Sequence, residues 1–151
     1  MEDQYYTKTI LVDKTPMEAF GAINNVRGWW SGKIEGSTTR LGDEFTYNVP
    51  GVHWCKMKIT QLTPGKKVVW HVLDSDLQYT KARTEWNGTD ISFELSEKDG
   101  ETQVLFEHIG LVPAYECYTD CADAWGMFIS GSLKNLITTG KDQPSPFETK
   151  D

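Results

Sequence analysis

The sequence has no long hydrophobic run. None of its apolar stretches approaches the ~18–20 consecutive residues that a membrane-spanning helix needs. The first residues, MEDQYYTKT, also have neither the basic region nor the apolar core of a secretory signal peptide. We therefore expect a soluble, cytoplasmic protein that does not act in a membrane.

Positive charge is also limited. The chain has 15 Lys and Arg residues against 22 Asp and Glu residues, which gives a formal net charge of −7, and its basic residues form no run or basic-aromatic cluster. Neutralisation of phosphates drives the binding of nucleic acids and of anionic membranes. We therefore expect neither as a partner.

Cysteine is scarce, with Cys55, Cys117 and Cys121 as the three examples. An odd number in a chain without an export signal argues against a disulfide framework. Cys117 and Cys121 lie four apart on a predicted helix, and with Cys55, His53 and His108 they make a zinc site conceivable. Structural zinc sites generally use a shorter cysteine spacing, so we predict neither a metal nor another cofactor. The acidic neighbourhood ECYTDCAD also argues against a catalytic thiol.

Catalytic sequence motifs are missing as well. The chain has no glycine-rich phosphate loop, no nucleophile elbow and no pair of histidines at metal-ligand spacing. These absences argue against nucleotide chemistry and against the common hydrolase classes. No catalytic residue is predicted.

The composition is that of a globular protein. Hydrophobic residues make up 38% and charged residues 25%, with six each of Trp, Tyr and Phe. A chain of 151 residues fits one domain, which can bury roughly 68–70% of the surface that its unfolded chain exposes. We predict a single domain over residues 1–140. The remaining stretch, KDQPSPFETKD at 141–151, has two prolines and no periodicity, which predicts a flexible tail.

Alternating hydrophobic residues predict most of the secondary structure. QYYTKTILVD is typical of a strand, and KTPMEAFGAIN and VRGWWSG then predict two short helices. From residue 34 to residue 110 apolar residues recur with period two, which predicts an antiparallel meander with one buried face. Its five strands lie in DEFTYNV, HWCKMKI, KKVVWHV, DISFEL and TQVLFEH.

A helix of roughly 25 residues is predicted at the end of this domain, because apolar residues there recur three and four apart. It starts near VPAYECYTDCADAW and ends at Gly140, which is typical of a helix C-cap. Its middle carries the small residues Gly126, Ser130, Gly131 and Ser132. Small residues there either permit close approach to the sheet or leave room for a ligand.

These elements, in this order, resemble the helix-grip fold of the START-like (SRPBCC) superfamily. The segments TILVDKTPMEAF, WWSG, LGDEF, ITQLTPGKKVVW, TQVLFEHIGL and WxxxxxGSLKNL resemble the family named for the activator of heat-shock protein 90 ATPase. The resemblance implies an α+β fold in which a curved antiparallel sheet of about six strands wraps around a long C-terminal helix, with two short helices after the first strand. It also implies a groove or cavity between that helix and the concave sheet. Family members include ligand carriers, co-chaperone domains and toxin-resistance proteins, so the fold is implied more sharply than the function.

His108 is the most informative polar residue, because strand parity places it on the same face as Val104 and Phe106, directed toward the long helix. A polar ring on an apolar face must find a hydrogen-bond partner. Either His108 is a core histidine satisfied by the backbone or a Tyr hydroxyl, or it contacts a ligand or transfers protons. His53 shares the inward parity but starts its strand, where a loop could rotate it outward, and His71 is predicted to face solvent.

The aromatic residues outnumber what a small core needs, which favours an aromatic-lined pocket. We predict that the loop at 73–86 borders its entrance. The predicted ligand-binding residues are Trp30, Tyr47, Met57, Trp70, Phe93, Phe106, His108, Tyr118, Trp125 and Phe128.

Three functions remain open at this point. The first is a binding protein for a small hydrophobic or aromatic molecule held between the helix and the sheet. The second, implied by the resemblance, is an interaction domain that docks on a chaperone or another protein. The third is a cyclase or hydrolase that uses His108 as an acid or base. A monomer and a homodimer are both compatible with the sequence.

Overall fold

One antiparallel sheet forms the centre of the computed structural model, which describes residues 6–30, 33–49, 51, 53–77, 81, 84, 86–111 and 118–140. Within these residues the sheet has seven strands, in the order β1-β7-β6-β5-β4-β3-β2. The strands are β1 Tyr6–Val12, β2 Lys33–Gly36, β3 Glu44–Val49, β4 His53–Thr63, β5 Lys67–Leu77, β6 Asp90–Lys98 and β7 Glu101–Ile109.

The topology is a meander of six strands, β2 to β7, with β1 added at the edge next to β7. Strands β2 to β7 pair with their neighbours in chain order, and β1 pairs antiparallel with β7 at the far edge. The sheet therefore has one strand more than the six predicted. The additional strand, β2, has only four residues and one buried side chain, Ile34, so it lacks the alternation by which the others were found.

Alternating burial shows which face of the sheet is the core face. Along β7 the side chains of Thr102, Val104, Phe106 and His108 are all buried, while the residues between them are partly exposed. Strand β4 follows the same rule but carries register shifts at Lys56/Met57 and Ile59/Gln61. Such bulges bend a strand and increase its twist, which helps a sheet to curve around a helix.

The predicted strand pattern needs correction between β5 and β6. Residues 73–86 were predicted as a loop, but β5 continues to Leu77, and Ser75 pairs with Cys55 and Leu77 with His53 of β4. Backbone pairing with a neighbouring long strand outweighs the polar composition of LDSD, which is why composition alone failed here.

Two short helical segments follow β1, as predicted. Helix α1 (Pro16–Asn24) begins with a capping box, in which Glu18 N donates to Thr15 Oγ1 at 3.1 Å and Thr15 N donates to Glu18 Oε1 at 2.9 Å. A 3₁₀ turn at Val26–Gly28 comes next. It positions two adjacent indoles, Trp29 and Trp30, in the core.

The C-terminal helix runs without interruption through helix α2 (Tyr118–Met127), a π-helical segment (Phe128–Leu133) and helix α3 (Lys134–Thr139). It ends at Gly140, whose φ of 75° is left-handed, as predicted for a C-cap. The predicted start at 112–117 lies outside the described residues. The π-helical segment was not predicted. It holds Ser130, Gly131 and Ser132, whose weak helix propensity makes a departure from α-helical hydrogen bonding less costly.

The core lies between this helix and the sheet. The helix buries its apolar residues against the sheet and α1, and together they form one hydrophobic cluster. In the described ranges no helix is long and apolar enough to cross a membrane. The predicted tail at 141–151 lies outside the described residues, and the domain boundary at residue 140 stays a prediction.

Candidate functional site

The ten predicted pocket residues all lie in or against the shared core of the sheet and the C-terminal helix. Nine are buried, and Tyr118 is half-buried at the start of α2 and packs against the cluster. Five different strands, β3 to β7, and the C-terminal helix contribute them, together with Trp30 from the turn after α1. The sequence pattern therefore identified one spatial cluster rather than scattered positions.

Trp30 is at the centre of the aromatic contacts in this cluster. Its ring stacks on Tyr47 with centroids 3.9 Å apart and contacts Trp125 at 5.1 Å and Trp70 at 5.8 Å. Phe128 approaches the same ring edge-on at 6.5 Å. These side chains touch one another, so the middle of the predicted pocket is occupied by its own residues.

His108 is fully buried and hydrogen-bonded at both ring nitrogens. Trp125 Nε1 donates to His108 Nδ1 at 3.0 Å, and His108 Nε2 lies 2.9 Å from Thr89 Oγ1. An indole nitrogen can only donate, so Nδ1 carries no proton and Nε2 donates to the threonine. Thr89 Oγ1 in turn donates to the Trp86 carbonyl at 2.6 Å. Burial, with a smaller contribution from His53, lowers the pKa of His108 to about 3, so the ring is neutral.

This network corresponds to the core-histidine alternative, with a threonine and a tryptophan in place of the predicted backbone or tyrosine partners. Both nitrogens are engaged by the protein, so an acid or base role would require His108 to break one of these bonds.

Trp86 was not predicted as a site residue, yet it joins the cluster from the β5–β6 connection. It is only 3% exposed, its ring lies edge-on to His108 with centroids 4.6 Å apart, and it stacks with Trp125 at 5.8 Å. The sequence indicated this residue only as a tryptophan within the polar stretch RTEWNGTD. Without alternating residues around it, the sequence could not show whether its side chain points into the core. Trp29, which is also fully buried, donates from Nε1 to the Ile23 carbonyl at 3.1 Å.

His53 points inward, as its parity suggested. It contacts Trp86 and Tyr47 edge-on, with ring centroids 4.5 Å and 5.4 Å apart. Burial lowers the pKa of His53 to about 4. Considering the described part of the chain, His53 Nε2 and Trp86 Nε1 are buried atoms without a hydrogen-bond partner, and Trp70 Nε1 is a third. Buried polar atoms of this kind are unusual and require an explanation.

The buried cysteines do not supply a reactive centre. Cys55 and Cys121 are both buried, and burial, with Cys121 nearby, raises the pKa of the Cys55 thiol well above its usual range. Cys117 lies outside the described residues. No group of three or more His, Cys, Asp or Glu side chains is arranged to hold a metal in the regions that the structure describes. His71 lies on the outer face, where its Nδ1 is 2.8 Å from Asp90 Oδ1.

An open groove lies on the exterior at the other end of β4. Pro16 and Met17 of α1, the turn at 63–67 and the β6 residues from Glu94 to Glu97 form it. It is far along the strand from His53 and does not involve the aromatic cluster.

A seven-stranded antiparallel sheet with a long helix packed over its core face defines a helix-grip protein of the START-like class. Residues 18–138 match the family described as "Activator of Hsp90 ATPase homolog 1-like protein", and the chain belongs to this family. The family resemblance and the fold predicted from the sequence are confirmed. No curated protein sequence matches the chain.

Solved structures show the same fold. The Aha1 dimer from Colwellia psychrerythraea is 25% identical, with a TM-score of 0.72 over 91% of this chain and 98% of that one. DynU16, from the dynemicin biosynthetic locus, is 14% identical with a TM-score of 0.67, over 93% of this chain and 49% of its own. A Mesorhizobium loti protein is 16% identical with a TM-score of 0.67, over 87% and 96% of the two chains.

Proposed function

We propose that this protein binds a small, largely aromatic molecule between its C-terminal helix and its sheet. Membership of the family supports a ligand-binding or Aha1-like domain in general terms, and the aromatic cluster supports the ligand. The observation that carries the proposal is the pair of buried nitrogens without partners, His53 Nε2 and Trp86 Nε1, within that aromatic surface.

The ligand would lie at the end of the cluster near His53, where β4 begins, and near Trp86, which comes shortly before β6. There Tyr47, His53, Trp86 and Trp125 provide aromatic surface. Trp30 fills the middle of the cluster, so a larger ligand would have to displace its ring from Tyr47. The ten residues predicted from the sequence remain the proposed binding set, and His53 and Trp86 join it. Its expected place of action remains the cytoplasm.

A protein-interaction role is the second candidate, because the Aha1 protein from Colwellia psychrerythraea is 25% identical over nearly its whole length. That protein is described as a dimer, so a homodimer is the oligomeric state that this relationship favours. Stimulation of a heat-shock protein 90 ATPase by the purified chain would support this role, and failure to bind the chaperone would argue against it.

An enzymatic role has less support. The hypothesis of a cyclase or hydrolase depended on His108 as an acid or base, and both of its nitrogens are hydrogen-bonded within the protein. A role for His108 in chemistry would therefore need a ligand that replaces Thr89 or Trp125 as its partner.

Native mass spectrometry followed by a thermal-shift screen of aromatic compounds tests the binding proposal. We expect a co-purified small mass, or a melting temperature that rises with compound concentration, because a ligand that binds only the folded state stabilises it. A broad aromatic library without any effect would overturn the proposal and favour the protein partner.

A further inference from the structure

Two neighbouring ring nitrogens distinguish the His53 end of the aromatic cluster. His53 and Trp86 are 8% and 3% exposed, and their ring centroids are 4.5 Å apart. Within the described residues, neither His53 Nε2 nor Trp86 Nε1 has a hydrogen-bond partner. Folding has therefore removed one polar atom on each of two adjacent rings from water without replacing its hydrogen bonds.

The adjacent histidine shows that the fold can satisfy such groups. His108 lies edge-on to the same Trp86 ring, and both of its nitrogens are hydrogen-bonded. Trp86 therefore contacts one histidine whose hydrogen bonds are complete and one whose Nε2 has no partner. Because the rings of His53 and Trp86 contact each other, a single polar group of a ligand is the simplest partner for both nitrogens.

The chemistry of the two nitrogens restricts that group. Trp86 Nε1 can only donate, so the ligand must offer an acceptor. His53 Nε2 donates in one neutral tautomer and accepts in the other. A carbonyl oxygen satisfies two donors, and a hydroxyl satisfies a donor together with an acceptor, so either group completes the pair.

A carboxylate fits this position poorly. Burial lowers the pKa of His53 to about 4, so the ring carries no positive charge at neutral pH. The groups whose rings face His53 are Tyr47 and Trp86, which are uncharged, and the nearby histidine, His108, is neutral as well. Among the described residues, none of the rings that contact His53 is positively charged, and a buried anion without a countercharge is strongly disfavoured.

On the basis of the proposed function, we propose that His53 Nε2 and Trp86 Nε1 together bind an uncharged oxygen group of an aromatic ligand, a phenol hydroxyl or an aryl ketone, and discriminate against aromatic carboxylates.

Four probes of nearly equal apolar size test this inference at pH 7: 2-naphthol, 2-acetylnaphthalene, 2-methylnaphthalene and 2-naphthoate. Dissociation constants come from ligand or tryptophan fluorescence. We expect 2-naphthol and 2-acetylnaphthalene to bind roughly tenfold more tightly than 2-methylnaphthalene, since one or two neutral hydrogen bonds are gained. The carboxylate should bind more weakly than the methyl compound.

Substitutions then assign the effect to the two nitrogens. Trp86→Phe removes Nε1, His53→Phe removes both imidazole nitrogens, and each variant keeps an aromatic ring. Each should therefore reduce the preference for 2-naphthol over 2-methylnaphthalene to about twofold or less. Trp54→Phe is the matched control, because Trp54 is only partly buried on the opposite face of β4, and it should keep the full preference.

The outcomes distinguish failure of the proposed function, which is aromatic ligand binding, from failure of the inference that the two nitrogens bind an uncharged oxygen. If none of the four probes binds, the proposed function fails and this inference fails with it. If all bind equally, or the methyl compound binds best, aromatic binding stands but water rather than ligand satisfies the two nitrogens. Preferential binding of 2-naphthoate would overturn the inference by revealing a positive charge at the site. The wild-type series decides these cases even where a variant does not fold.

Discussion

Trp125 donates its indole N–H to Nδ1 of His108 at 3.0 Å, and this bond connects the C-terminal helix to strand β7. Through Nε2 the same ring reaches Thr89, so the histidine is satisfied on both sides. The ring of His53 also contacts Trp86, but its Nε2 has no hydrogen-bond partner among the described residues. The core therefore holds two buried histidines that contact one tryptophan, and only one of them has both ring nitrogens hydrogen-bonded within the described part of the chain.

The first prediction compares two buried tryptophans. Trp125→Phe removes the donor to His108 and leaves a buried acceptor without a partner, whereas Trp86→Phe removes an indole N–H that has no partner in the described structure. Both side chains are almost fully buried, so their packing losses are comparable. We expect Trp125→Phe to lower the free energy of unfolding by about 1–3 kcal/mol more than Trp86→Phe. Urea denaturation of the two ligand-free variants measures this difference.

Equal destabilisation would contradict this prediction, because it would mean that the bond between Trp125 and His108 contributes nothing net. A larger loss for Trp86→Phe would mean that its nitrogen has a partner in solution. Trp54→Phe, on the outer face of β4, gives the cost of the same substitution at a partly exposed position.

The second prediction concerns acid stability. Burial lowers the pKa of His53 to about 4 and that of His108 to about 3, from an ordinary value of 6.5. At a pH between the folded pKa and 6.5, each histidine is protonated in the unfolded chain but neutral in the folded chain. The free energy of unfolding therefore decreases as the pH falls below about 6.5. Each histidine should contribute about 1.4 kcal/mol per pH unit to this loss. Urea denaturation at pH 7.5, 6.5, 5.8 and 5.2 measures the slope.

A variant separates the two contributions. His53→Phe should retain about half of the slope, since His108 still titrates on unfolding. The lowered pKa values of Glu18 and Asp43 come from hydrogen bonds at exposed positions, and their ordinary values of 4.5 and 3.8 lie below this window. A stability that does not change between pH 7.5 and 5.2 would show that both rings are reached by water or protonated in the folded state.

The sheet could be predicted from sequence because its buried face requires strict alternation. Val104, Phe106 and His108 are three consecutive inward positions of one strand, and that parity alone placed His108 against the helix. Strand β2 could not be found in the same way, because four residues with one buried side chain do not form a period. The π-helical segment was also missed, because one short π-helical stretch inside a long helix leaves the overall spacing of the apolar residues helical.

The site was only partly predictable, for a related reason. Periodicity identified the residues that point inward, but it carries no information about how their rings fill the space. Trp30 stacks on Tyr47 at 3.9 Å, although both were predicted to line a pocket for a ligand. Trp86 follows a connection without periodicity, so its burial became apparent only from tertiary contacts.

The third prediction concerns two glycines with different roles. A Cβ at Gly131, within the π-helical segment, would meet nothing within 4 Å, so Gly131→Ala should stabilise the protein by up to about 1 kcal/mol through helix propensity. Gly36 has a φ of 103°, and a Cβ there would collide with the backbone of Glu44 and Phe45. Gly36→Ala should therefore destabilise it by about 1–3 kcal/mol or more. Thermal and urea denaturation of both variants measure these changes, and a destabilising Gly131→Ala would show that the segment needs glycine.

The fourth prediction tests whether the centre of the aromatic cluster can accept a guest. Trp30 is buried and contacts Tyr47, Trp70 and Trp125, so Trp30→Ala should cost about 3–5 kcal/mol and leave a space with aromatic walls. Because an apolar cavity of this kind binds small aromatic molecules, added indole should restore part of the lost melting temperature in a concentration-dependent manner. Trp54→Ala, on the opposite face of β4, should show no such rescue. A loss of stability at position 30 without rescue by indole would mean that the surrounding rings close the space, and a ligand could then reach only the His53 end of the cluster.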